Sequence, residues 1–210
     1  MKLENFENEI EYKFKNIELL KTAFTHTSYA NEKKIQSNEK LEFLGDSILE
    51  FVVSNYLYRN YPKLKEGEMT KVRATVVCEE SLYQVALKYH FDKLLILGKS
   101  EKLSGGNHKP AMLADSVEAV IAALYMDSGL EETEKFILEN LKEAINKASK
   151  NVGQKDYKTV LQEKLQVHGV VKIEYKIIRT LTQCIYKKCW ELRFFFAMIF
   201  EIYNMNYYCY

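Results

Sequence analysis

Acidic residues recur at three- and four-residue intervals in two segments of this chain, a spacing that lines carboxylates along one face of a helix. The first segment reads Asn38-Glu39-Lys40-Leu41-Glu42-Phe43-Leu44-Gly45-Asp46-Ser47 and continues to Glu50. At about 100° per residue, Glu39, Glu42, Asp46 and Glu50 fall within roughly 80° of one another. Leu41, Leu44, Ile48, Phe51 and Val52 point the opposite way and are expected to face a core. The second segment is Met112-Leu113-Ala114-Asp115-Ser116-Val117-Glu118-Ala119-Val120-Ile121-Ala122-Ala123-Leu124, in which Asp115 and Glu118 are i,i+3 neighbours. Ala119 and Ala122 flank them and would let another helix approach, while Val117, Val120, Ile121 and Leu124 cover the far side.

If Glu42 and Asp46 meet Asp115 and Glu118 across a helix pair, four carboxylates without counter-charge raise each other's pKa values, and divalent cations relieve the conflict. All-oxygen donors select a hard ion, Mg2+ with Mn2+ as a substitute; neither motif contains the His or Cys that zinc prefers. A di-iron site needs Glu-x-x-His pairs, which are absent from both motifs. Carboxylate-held Mg2+ suits phosphodiester hydrolysis, since it acidifies a water and neutralises charge building on the phosphate. Asp46 and Glu118 are the pair expected to hold the ions and the attacking water, with Glu42 and Asp115 completing the shell and Glu39 more peripheral. One acidic stripe alone is ordinarily a solvated helix face. Two stripes, with few basic partners apart from Lys40 and Lys71, favour a site.

Helical patterning must position these groups, and it runs from Leu3 to about Ala148 with breaks at Asn31–Ser37, Tyr61–Gly67, Gly98–Pro110 and Ser128–Gly129. This predicts an all-α bundle of six or seven helices over residues 1–148. Within the break from Gly98 to Pro110, Ser104–Pro110 is read as a flexible loop leading into the helix of Asp115 and Glu118. Residues 149–155 read as a polar linker. Beyond it, Asp156 is a plausible N-cap for a helix to Val167, and Val171, Ile173, Tyr175 and Ile177 alternate with polar residues as in a strand. Thirty basic residues against 29 acidic ones leave no global charge for nucleic acid, so such binding must be local. Three of the four cysteines, Cys184, Cys189 and Cys209, lie near the C-terminus, and no disulfide framework is implied. The N-terminus lacks the apolar run of a secretory signal, and the run Phe194–Phe200 is far short of a membrane span. A cytoplasmic protein without a membrane partner or small-molecule cofactor is expected.

The first acidic segment resembles the signature motif of bacterial ribonuclease III, the double-stranded-RNA endonuclease. Thr25-His26-Thr27-Ser28-Tyr29-Ala30-Asn31-Glu32, Lys65-Glu66-Gly67-Glu68-Met69-Thr70-Lys71-Val72-Arg73-Ala74 and Leu113-Ala114-Asp115-Ser116-Val117-Glu118-Ala119 resemble further segments of that family. The resemblance implies a Mg2+ cluster of Glu42, Asp46, Asp115 and Glu118, with Asp46 and Glu118 catalytic and Glu39 and Glu66 in an acidic cleavage valley. It also implies a homodimer that cuts both strands, leaves short 3′ overhangs and acts on double-stranded RNA such as ribosomal precursors. Phe43 lies about 40° from Glu39 on the wheel, on the polar side, where a dimer contact would explain an aromatic. Lys71, Arg73 and Lys109 are candidates to meet phosphates. His26 and Ser28 match family positions too, but a His near a helix end is more often a cap, and neither is given a catalytic role.

Residues 156–179 resemble the first helix and strand of a double-stranded-RNA-binding domain, with Gln162 and Glu163 facing a minor groove. The expected fold is therefore the helical endonuclease domain followed by an incomplete α+β domain. Residues 180–210 carry ten of the 27 aromatics and no Gly, Pro or Asp, and do not continue that domain. Their bias towards Phe, Tyr, Ile, Asn and Lys suggests an out-of-frame tail. The competing readings are a non-catalytic double-stranded-RNA-binding regulator and an inactive frameshift product.

Overall fold

From Leu113 to Leu124 only Asp115, Ser116 and Glu118 interrupt an apolar run, and a helix so apolar must be covered on most sides. The computed structural model describes residues 3–151 and builds them around that helix. In chain order the α-helices are α1 (Leu3–Glu9), α2 (Ile17–Ala23), α3 (Thr27–Lys33), α4 (Glu39–Asn60), α5 (Glu66–Val76), α6 (Glu79–Lys88), α7 (Lys99–Leu103), α8 (Pro110–Ser128) and α9 (Leu130–Asn151). Short 3-10 turns lie at Phe91–Lys93 and Gly106–His108. Central helix α8 packs against α2, α4, α6 and α9, burying Leu113, Val117, Val120, Ile121 and Leu124. Among the described residues the one extended pairing is an isolated bridge between Thr25 and Ile96.

Helix α9 shows the more usual amphipathic division. Thr133, Phe136, Ile137, Leu141 and Ile145 form its buried stripe, and Lys135, Glu139, Lys142 and Glu143 lie on the exposed side. At one end of the core, Phe6, Phe24 and Phe91 meet edge to face, with centroids 4.8–6.0 Å apart. Fully burying such a ring contributes about 1.5–3 kcal/mol.

Local chemistry sets the helix ends. Pro110 occupies the first turn of α8, where its missing N–H costs nothing. Gly129, at φ +86°, turns the chain between α8 and α9. Asp127 fixes the same corner from inside α8: its carboxylate accepts from the Tyr12 hydroxyl at 2.6 Å and from the Lys15 and Asn16 amides at 2.8 Å each. Burial opposes ionisation of Asp127, but these donors outweigh it and hold its carboxyl below the ordinary value. The Tyr12 phenol, partly buried beside that carboxylate, is pushed up to about 12.

Nine α-helices rather than six or seven occur among the described residues. The additional elements are short: α1, α2 and α3 have seven residues each and α7 has five, too few turns for a clear apolar period. Gly98–Pro110 is not an open loop, since α7 and a 3-10 turn fill it and Lys109 Nζ reaches Glu101 Oε1 at 2.6 Å. Residues 149–151, expected in the linker, form the last turn of α9. No described helix is long and apolar enough to cross a membrane. The expected linker beyond residue 151, the partial second domain with Gln162 and Glu163, and residues 180–210 lie outside the described residues.

Candidate active site at the crossing of α4 and α8

The backbones of α4 and α8 come close together at Gly45. A Cβ built there would stand 1.8 Å from the Glu118 carbonyl oxygen and 2.5 Å from its carbon. Only a residue without a side chain allows the two backbones this close. Glycine in mid-helix costs about 1 kcal/mol against alanine; here it brings the two acidic segments together. Ala119 and Ala122 are fully buried, in keeping with a tightly packed α8, but the contact that sets the spacing belongs to α4.

Four carboxylates interact across the crossing. Burial is the main influence on Glu118, followed by repulsion from Asp46, Asp115 and Glu42, and its carboxyl is pushed up to about 8. Glu42 is raised first by burial, then by Asp115, Glu39 and Asp46. Asp115 is raised by burial and by Glu79 of α6, with His26 pulling the other way. Glu118, Glu42 and Asp115 are half-buried and Asp46 is exposed, so the cluster opens to solvent on the Asp46 side. Such an arrangement favours protonation of Glu118 at neutral pH until a cation compensates the repulsion.

Among the described residues, no three His, Cys, Asp or Glu side chains are gathered closely enough to hold an ion as they stand. Asp46, Asp115 and Glu42 all act on Glu118, and Asp115 and Asp46 on Glu42, so the four carboxylates share one electrostatic neighbourhood. The donor set of the four is all oxygen and suits a hard divalent ion. His26, absent from both acidic motifs, lies within electrostatic reach of Asp115. Its Nδ1 is already engaged by Ser28, which makes it a cap of α3.

The other sequence-predicted positions separate from this centre. Exposed Glu39 accepts from Ser37 Oγ at 3.1 Å and still adds to the charge at Glu42. Glu66 is exposed at the start of α5 and accepts from Thr70 Oγ1 at 3.2 Å. Glu50, read with the acidic stripe, lies 3.8 Å from Arg73 Nη1, whose guanidinium also donates to Ser54 at 3.0 Å. Lys71 is exposed, while Lys109 is paired with Glu101.

Phe51, expected in the core, is 55% exposed. Because α8 crosses at Gly45, the buried arc of α4 swings through Gly45, Leu49, Val53 and Leu57 and leaves Phe51 outside. Phe43, at 79%, and Tyr58, at 76%, are also exposed, and all three share one side of α4. Two contributors escaped the sequence reading. Gly45 stood inside the first motif, its helical position between Glu42 and Asp46 being the available signal. Glu79 lies on another helix, and no spacing relates it to Asp115.

A family model described as Ribonuclease-III-like matches residues 16–145. Ribonuclease 3 of Clostridium tetani is 47% identical over 180 residues, covering 85% of this chain and 77% of the relative. Ribonuclease 3 of Caldanaerobacter subterraneus is 46% identical over 177 residues, covering 83% and 78% respectively. Among solved structures, the nuclease domain of ribonuclease III from Campylobacter jejuni, described for flexibility in its dimer-forming region, superposes with a TM-score of 0.65 at 35% identity. It covers 68% of this chain and 98% of that one.

Proposed function

The chain belongs to the ribonuclease III family of endoribonucleases, and from that premise we propose that the cluster of Glu42, Asp46, Asp115 and Glu118 hydrolyses phosphodiester bonds of double-stranded RNA with Mg2+. The observation that carries the reading is the contact of Gly45 with the Glu118 backbone, which joins the two acidic segments into one electrostatic unit. Mn2+ is the expected substitute. Bound there, the cation would lower the pKa of a water and neutralise charge developing on the phosphate.

The remaining work falls to the protein. Asp46, on the exposed side, would face incoming phosphate, and Glu118 at its base would hold the cation in its deprotonated form. Glu42 and Asp115 complete the donor set, and Glu39 and Glu66 extend the negative surface. Lys71, Arg73 and Lys109 supply positive charge for the RNA backbone, the last two from within ion pairs that phosphate can replace. Ribosomal precursors and other structured transcripts are the substrate class, and the products carry short 3′ overhangs.

The protein acts as a homodimer, so that two sites address two strands. Support comes from Phe43, Phe51 and Tyr58, an exposed apolar stripe beside the acidic cluster, and from the dimer-forming region described for the Campylobacter jejuni domain. Incubating the full chain with a long RNA duplex, in Mg2+ and in chelator, tests the activity. Metal-dependent conversion to short duplexes is expected. Retention of intact duplex by the protein in Mg2+ would favour a non-catalytic RNA-binding role.

A further inference from the structure

Residues 94–97 run beside Thr25 and pair with it through a single parallel bridge. Ile96 donates its N–H to the Phe24 carbonyl at 2.8 Å and accepts from the His26 N–H at 3.1 Å. In a planar trans peptide a carbonyl and the N–H that follows it point opposite ways, so the Leu95 carbonyl and the Leu97 N–H are directed away from Thr25. Neither group is hydrogen-bonded among the described residues. Together they are the acceptor and donor that one residue of a second parallel strand would bridge, as Ile96 bridges Phe24 and His26 on the other side. Leu97 is only 8% exposed, and an unpaired amide in so covered a residue is unfavourable until an acceptor meets it.

A groove of about 570 Å3 follows the same segment. Leu94–Leu97 line it together with Tyr29 of α3 and, from the strap between Gly98 and Lys109, Lys102 and Asn107. Its volume lies within the roughly 300–1,000 Å3 of ligand sites. Charge around it is one-sided. Lys93 and Lys102 line the groove, exposed and outside the ion pairs of the described residues, and exposed Lys99 lies near them in the strap. Asp92 is the opposing carboxylate on the groove wall, since Glu101 is bound to Lys109 at 2.6 Å and Glu32 accepts from the Lys99 amide at 2.8 Å.

We propose that the Leu95–Leu97 edge docks an extended, acidic segment of a partner protein, which adds a third strand beside Thr25 and Ile96 and sets its carboxylates against Lys93 and Lys102. Main-chain pairing supplies the attachment, and the apolar groove and the lysines supply the choice of sequence. Lysines beside an open edge discourage neutral and basic strands, which leaves acidic ones as the fitting partner. Duplex RNA has the negative charge but no alternating N–H and C=O groups to pair with this edge. The site uses none of the four carboxylates at the crossing of α4 and α8.

A short blocked peptide alternating valine and glutamate is the probe, titrated into the 15N-labelled full chain. The Leu97 amide signal should move, and its hydrogen exchange should slow about 10-fold or more at saturation. Replacing the glutamates of the peptide by lysine should weaken binding about 10-fold or more, as should the double variant Lys93→Glu, Lys102→Glu titrated with the parent peptide. N-methylating every valine, or every glutamate, removes the donors along one edge of the peptide or the other, and one of these two peptides should lose binding. An unmoved Leu97 amide at millimolar peptide would overturn the proposal, as would undiminished binding of both methylated peptides or of the lysine peptide. A Leu97 amide already protected in the free chain would overturn it too. A short RNA duplex that moves Leu97 where the peptide does not would assign the edge to nucleic acid instead.

Discussion

Substituting Gly45 by alanine perturbs the site without touching any carboxylate. The added Cβ meets the Glu118 carbonyl oxygen at 1.8 Å, where an ordinary carbon–oxygen contact needs about 3.3 Å, so α4 and α8 must separate by roughly 1.5 Å. Overpacking of this kind costs about 1–3 kcal/mol, partly offset by about 1 kcal/mol from replacing a helical glycine. The net cost of about 0–2 kcal/mol should lower the melting temperature by at most about 8 °C. Activity should suffer far more, because a misplacement of about 1 Å at reacting groups can cost on the order of 100-fold in rate. The assay is initial-rate cleavage of a defined RNA duplex in Mg2+, paired with thermal melting. Gly67→Ala is the control: it replaces a glycine of α5 with nothing within 4 Å of the new Cβ, so it should leave the rate unchanged and the melting temperature equal or slightly higher. A Gly45→Ala protein as active as the parent would refute the claim that this contact sets the geometry of the site.

Other perturbations have equally definite outcomes. Glu118, raised from 4.5 to about 8, binds a proton more tightly folded than unfolded, so in chelator it destabilises the fold progressively from about pH 4.5 and fully above about pH 8. Glu118→Gln should then melt higher than the parent at pH 9 but not at pH 4, by on the order of 1–2 kcal/mol after allowing for solvent screening, while losing cleavage; a pH-independent difference in chelator would contradict this. Mg2+ binding near pH 7 should release up to about one proton per chain, measured by calorimetry in buffers of different ionisation enthalpy, and binding without proton release would contradict the raised Glu118. Asp127→Ala removes the shared acceptor of the Tyr12 hydroxyl and the exposed Lys15 and Asn16 amides and should destabilise by about 0.5–1.5 kcal/mol, with the Tyr12 phenol returning towards 10 in an ultraviolet titration; an unmoved phenol would show that Asp127 is not its partner. Phe43→Glu should yield a monomer in sedimentation with a melting temperature close to that of dilute parent protein, whereas a persistent dimer would place the interface elsewhere.

The carboxylates were legible in the sequence because helical spacing is a local property: Glu42 with Asp46, and Asp115 with Glu118, share a face whatever surrounds them. What joins the two faces is not local. Gly45 looks like any helix-weakening glycine until α8 is laid against it, and Glu79 acts on Asp115 from a third helix. Phe51 was misassigned for the same reason, since the angle at which α8 crosses decides which arc of α4 is covered. The strap from Gly98 to Lys109 has the glycines and polar residues of a loop, but tertiary bonds from Ser28 and Glu32 fold it into short helical turns. The exposure of Phe43 follows from its wheel position beside Glu39, which one helix suffices to define.

Anomalous diffraction from crystals of the full chain soaked in Mn2+ would test the carboxylate centre most directly. Density coordinated by Glu118 together with Asp46, Glu42 or Asp115 at the crossing of α4 and α8 is the predicted result. Mn2+ bound at other carboxylates, with the crossing empty under conditions that sustain RNA cleavage, would contradict it.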